Sequence, residues 1–116
     1  MAKFETTVVT NIDTLLSEVH EGILNGSSSA SFEDGSDFYS DETHCAVRVY
    51  ERYSLIGSNR VSLSITMFQV RGGPVSVSAI ASGGSQALVF KINTVGEKNF
   101  LEKFIEILRR FELNSK

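Results

Sequence analysis

Residues 60–68 read RVSLSITMF, and the alternation in this stretch decides the fold. Val61, Leu63, Ile65 and Met67 occupy every second position, with Ser62, Ser64 and Thr66 between them. Successive side chains of a strand point to opposite faces, so the pattern predicts a strand with one aliphatic surface and one hydroxyl surface. VSVSAIA at 75–81 repeats it: Val75, Val77 and Ala79 oppose Ser76 and Ser78. RGGP at 71–74 supplies the turn between them. A sheet of such strands needs cover on one side only.

The cover is found at the two ends of the chain. NIDTLLSEVHEGILNG at 11–26 places Ile12, Leu15, Leu16, Val19 and Ile23 at helical spacing, in one stripe. Asn11 is a capping residue for the helix start, and Gly26 is expected to close it in a left-handed conformation. GEKNFLEKFIEILRRF at 96–111 gathers Phe100, Leu101, Phe104, Ile107, Leu108 and Phe111 on one face, with Glu97 at the positive helix start.

The remaining segments read as strands and turns. KFETTVVT at 3–10 suits a half-buried first strand. SSSASFEDGS at 27–36 suggests a short second strand ending in an Asp34-Gly35 turn, and EDGSDFYSDET at 33–43 reads as a mobile acidic loop. In HCAVRVYERYS at 44–54, Cys45, Val47 and Val49 oppose Ala46, Arg48, Tyr50 and Arg52. GSN at 57–59 marks a turn. QALVFKI at 86–92 fits either a last strand, with Leu88, Phe90 and Ile92 inward, or a short helix. The expected fold is α+β: a single antiparallel sheet of five to six strands with two helices on one face. The order is β-α-β-β-β-β-(β)-α, in one domain over residues 1–116.

Composition narrows the function classes. The chain is 41% hydrophobic and 22% charged, which is ordinary for a folded domain and argues against disorder. A net charge of -3 gives no footprint for a nucleic-acid partner. No apolar run approaches the length of a membrane span, and MAKFETTVVT lacks the apolar core of a secretion signal. One cysteine, Cys45, excludes an intrachain disulfide and fits a reducing compartment. The expectation is a cytoplasmic, bacterial protein with no cofactor and no bound metal.

Catalytic candidates are sparse. SGGS at 82–85 has no following lysine for a phosphate-binding loop, and its serines flank the glycines instead of lying between them. A turn explains it; exposed amides of Ser82, Gly83, Gly84, Ser85 and Gln86 are the ligand-contact alternative. His44 and Cys45 are neighbours in a strand and point apart, so they form no dyad with each other. Only a contact of Cys45 with His20 across the core, or of Ser85 with a histidine, leaves an enzyme open. Metal-ligand spacings are missing, and Glu33, Asp34, Asp37, Asp41 and Glu42 do not follow the EF-hand register. Arg48, Tyr50 and Arg52, expected beside the serines, form the candidate interface, because Arg and Tyr combine area with directed hydrogen bonds.

CAVRVYERYS, NRVSLSITMF and SAIASGGSQALVFKINTVGEKNFLEKF resemble a small bacterial family known only as a domain of unknown function. The resemblance covers nearly the whole chain and is carried mostly by Ser78 to Phe104. It implies no activity and no site residues. The element order also resembles TATA-binding-protein-like domains and the helix-grip fold, in which a final helix closes a sheet over a ligand cavity. Three functions follow as expectations. The first is a non-enzymatic module that associates with itself through the polar sheet face or an edge strand. The second is a helix-grip binder of a small molecule, with Ser82–Gln86 at the pocket rim. The third is an enzyme using Cys45 or Ser85.

Overall fold

A computed structural model describes residues 2–53, 60–83 and 100–114. The elements run β1 (Ala2–Val8), α1 (Ile12–Gly26), β2 (Ser31–Ser40), β3 (Thr43–Tyr53), β4 (Arg60–Val70), β5 (Val75–Ser82) and α2 (Phe100–Asn114). The five strands form one antiparallel sheet in the order β1-β5-β4-β3-β2. Fold class and element order are those the sequence predicts. The turn assigned to 57–59 and the strand-or-helix segment 86–92 lie outside the described residues.

The central strands behave as their alternation requires. Val61, Leu63, Ile65 and Met67 of β4 are buried, as are Val75, Val77 and Ala79 of β5. They join Val8, Ile12, Leu15, Val19 and Ile23, and Phe100, Leu101, Phe104, Ile107 and Leu108, in one hydrophobic cluster. Both helices therefore lie over the same, inner face of the sheet. Fully burying a side chain such as Phe104 contributes about 1.5–3 kcal/mol in transfer free energy.

Helix α1 starts where Asn11 caps it: its side-chain oxygen accepts from the amides of Asp13 (2.8 Å) and Thr14 (3.3 Å). The Ile12 amide instead donates to Gln69 Oε1 at 2.9 Å. The amide group of Gln69 also donates to the carbonyls of Thr10 (2.7 Å) and Gly73 (2.8 Å). One polar residue, at the end of β4's inward row, thus ties the helix start to the β4–β5 turn. At the other end, Gly26 is the last helical residue and does not take a left-handed φ; Ser27, with φ -152, ends the helix by turning extended.

The acidic segment is not a loop. β2 runs through Asp34 and Gly35 to Ser40, and the reversal comes at Asp41 and Glu42, where Asp41 takes φ 50. The second strand is present as expected, but Asp34-Gly35 is not its turn, and two features hid its continuation to Ser40. It is an edge strand exposed on both faces after Ser31, so it shows no apolar alternation. Glu33 is also the extra residue of a bulge between Phe32 and Asp34, which breaks the period of two.

Candidate functional site

Register decides which side chains of β3 face the helices. Ala46, Arg48, Tyr50 and Arg52 pair with Met67, Ile65, Leu63 and Val61. Neighbouring paired residues share a face, so Arg48, Tyr50 and Arg52 belong to the inner face, not to the serine face where the sequence places them. Tyr50 is 1% exposed, Arg52 is buried, and the Arg52 guanidinium sits 5.2 Å from the Phe100 ring centroid. The physical reason lies in the reach of these chains. β3 lies near the edge of the inner face away from β1, and long amphipathic side chains can run from the core toward water there.

The inner margin is a polar cluster between α1 and the β2–β3 hairpin. The Tyr50 hydroxyl lies 2.8 Å from His20 Nδ1. Burial pushes the phenol up to about 12, against the pull of the Arg48 charge, so it stays protonated beside the ring nitrogen. Phe32 packs edge-on against both rings. Further along, His44 Nε2 meets Asp37 at 2.8 Å, while its Nδ1 faces Asp13 at 3.9 Å and Tyr39 stacks on the ring. Arg48 donates to Asp37 and to the Ser36 and Val47 carbonyls. The hydrogen bond from His44, helped by Arg48 and opposed by burial, holds the Asp37 carboxyl below its ordinary value. Arg48 lies flat across Gly35, where a Cβ would come within 2.9 Å of its Cδ and of the Val47 carbonyl oxygen. This explains a glycine inside a strand. No group of three His, Cys, Asp or Glu placed to hold a metal ion occurs among the described residues.

The outer face carries the serines, and the strand register arranges it in rows. One row runs Thr7, Ser76, Phe68, Cys45, Phe38; the next runs Glu5, Ser78, Thr66, Val47, Ser36; the third runs Lys3, Ile80, Ser64, Val49, Asp34. Apolar side chains are threaded through the hydroxyls. Phe38 is 66% exposed, Phe68 43% and Ile80 36%, and Val70 at the end of β4 is exposed as well. Cys45, Val47 and Val49 are half-buried beside them. At the far end, Arg60 pairs with Glu51 (2.6 Å) and Glu33 (3.7 Å) and lies over the Tyr53 ring. Neither described helix packs on this face.

The other sequence candidates are dispersed. Ser82 pairs with Ser62 and belongs to the outer face, so it does not rim a space between α2 and the sheet. Gly83 takes φ 100, the left-handed region expected of a turn glycine. Gly84, Ser85 and Gln86 lie outside the described residues, as does Phe90. Buried Phe100, Phe104 and Leu108 occupy the space between α2 and the sheet. Cys45 is on the outer face and both histidines make their contacts on the inner one, so the Cys45–His20 pairing does not form. Sequence reading missed Gln69, Asp37 and the inward His44. A signal was present for Gln69: it continues the 61, 63, 65, 67 row as a polar residue on an apolar face.

Together these features define an α+β protein whose helices cover one side of a sheet and whose other side presents aromatic and aliphatic groups among hydroxyls. The chain belongs to the family of unknown function DUF6054, whose model matches residues 1–112. No curated protein and no solved structure matches it. No helix among the described residues is long and apolar enough to cross a membrane.

Proposed function

We propose that this chain is a non-enzymatic interaction module that holds a second copy of itself through the outer face of the sheet. The observation that carries the reading is the exposure of Phe38, Phe68, Val70 and Ile80 on one surface. Scattered exposed apolar residues are ordinary, but Phe38 and Phe68 flank Cys45 in one row with Val70 beside Phe68, and an apolar cluster of this kind on a sheet face that no described helix covers marks a contact surface. The facing of β3 adds to this. Its apolar residues Val47 and Val49 point away from the helices, while Arg48 and Arg52 point toward them. Cover from a second sheet makes that inversion favourable.

Area supports the same reading. Five strands about 4.8 Å apart, over about seven residues of 3.3 Å each, give a flat area of roughly 500–600 Å². Side-chain relief raises the accessible surface toward the roughly 800 Å² per partner of a standard interface. A reducing cytoplasm, bacterial on the resemblance to the unknown-function family, fits the reading, because Cys45 on that face then stays a thiol.

Light scattering on the wild type and on Phe68→Asp tests it. The wild type is expected to weigh as a dimer. The variant is expected to weigh as a monomer with a retained thermal transition, since Phe68 already faces solvent in one copy. A wild type that remains monomeric refutes the reading.

A further inference from the structure

We infer that the two copies meet with their two-fold axis parallel to β4, so that the β1 edge of one copy lies over the β2 edge of the other. This rests on the reading of the outer face as the contact, and it specifies the partner residues of that contact.

A face-to-face pair of identical sheets has its two-fold axis in the plane between them, and the same patch serves both copies. Aligned sheet packing leaves two axis directions, along the strands or across them. With the axis along β4, each row of the outer face lies over the same row of the second copy. Lys3 then faces Asp34 of the second copy, and Ile80 faces Val49 of the second copy. Phe68 meets its own image on the axis, and Glu5 faces Ser36 of the second copy. Opposite charges meet twice by symmetry, Phe68 meets Phe68 and Ile80 meets Val49, while Phe38 and Val47 lie over Thr7 and Ser78.

The axis across the strands, through the row of Glu5 and Thr66, gives a different set. Glu5 faces Glu5 of the second copy, Phe38 faces Asp34, Phe68 faces Ser64 and Ile80 faces Ser76. Like charges directly opposed, with neither the Lys3–Asp34 pairs nor the Phe68–Phe68 and Ile80–Val49 contacts, disfavour that arrangement. Arg60 does not decide between the two, because Glu51 and Glu33 of its own chain already hold it, the nearer at 2.6 Å; Lys3 has only a loose, exposed contact with Glu5 of its own chain, at 3.9 Å, which leaves its charge open to a second partner.

Charge reversal on the full-length chain separates the outcomes. Lys3 and Asp34 stand on opposite edges of one sheet, four strand spacings or roughly 19 Å apart, so they do not couple within one copy. Sedimentation at low salt is expected to show dimers of Lys3→Asp and of Asp34→Lys each weakened about tenfold, because each reverses two facing pairs. The double variant Lys3→Asp/Asp34→Lys restores the opposite signs and is expected to return to wild-type affinity. If the wild type dimerises but the single changes are neutral, or the double is weakened further, the axis is wrong and the contact surface stands. A monomeric wild type overturns both.

Discussion

Replacing Tyr50 separates the observed facing of β3 from the one its composition suggests. The side chain is 1% exposed, its ring packs 5.5 Å from Phe32 and 5.8 Å from His20, and its hydroxyl is hydrogen-bonded to His20 Nδ1. Tyr50→Phe keeps the packing and removes one partly buried hydrogen bond, for a loss of about 0.5–1.5 kcal/mol. Tyr50→Ala also removes the ring and leaves a cavity beneath α1; large aromatic truncations of this kind cost about 3–5 kcal/mol. Against a total stability of about 5–15 kcal/mol, the second change takes a large share. Urea unfolding followed by circular dichroism reads both as shifts in midpoint at constant slope. A paired control, Val49→Ala on the outer face, is measured at concentrations too low for association and is expected to cost less than about 1 kcal/mol. A loss under about 1 kcal/mol for Tyr50→Ala would place the ring on the surface and refute the register argument. The phenol gives an independent readout. Its folded value near 12 lies above the unfolded value of 10.0, so its stabilisation is complete below pH 10 and is lost as pH rises toward 12. Tyr50→Phe is expected to flatten that alkaline limb.

Three further outcomes follow from the inner margin. Asp37 is held low by His44 and Arg48, so its stabilisation is present above the unfolded carboxylate value near 3.9 and is lost as pH falls through the lower folded value; Asp37→Asn is expected to remove that part of the acid limb in melting curves taken across pH 2–5, and an unchanged limb contradicts the assignment. Gly35→Ala drives a Cβ against the Arg48 stem and the Val47 carbonyl, and is expected to cost about 1–3 kcal/mol in chemical denaturation; a neutral change would mean that Arg48 does not lie there. Gln69→Ala leaves the Ile12 amide and two carbonyls without their partner, for about 1–3 kcal/mol, and hydrogen exchange at Ile12 is expected to accelerate.

Legibility followed the strength of one-sided burial. In β4 and β5 one face is packed and the other bears hydroxyls, so alternation alone gave their facing. The stripes of α1 and α2 were equally plain. The start of β2 was legible but its run past Asp34 was not, because an edge strand with both faces wet has no period to read and because Gly35 imitates a turn while serving Arg48. β3 was inverted because its apolar residues are not the ones under the helices. Its inward residues are Ala46, a tyrosine bonded to His20 and two arginines, and only pairing with β4 reveals their direction. The hydroxyl face was therefore read correctly from Ser62 to Ser78, while its aromatic members Phe38 and Phe68 went unread. They sit next to residues of the opposite face, and nothing local marks them as neighbours across three strands.

The alkylation rate of Cys45 by a bulky maleimide, measured across protein concentration, tests the covered hydroxyl face most directly. The thiol, on β3, lies between Phe38 of β2 and Phe68 of β4. Its rate is expected to fall as concentration rises through the dissociation constant, and to stay high in Phe68→Asp. A rate independent of concentration up to about 100 μM, well into the range of standard-size interfaces, would contradict a second copy on that surface.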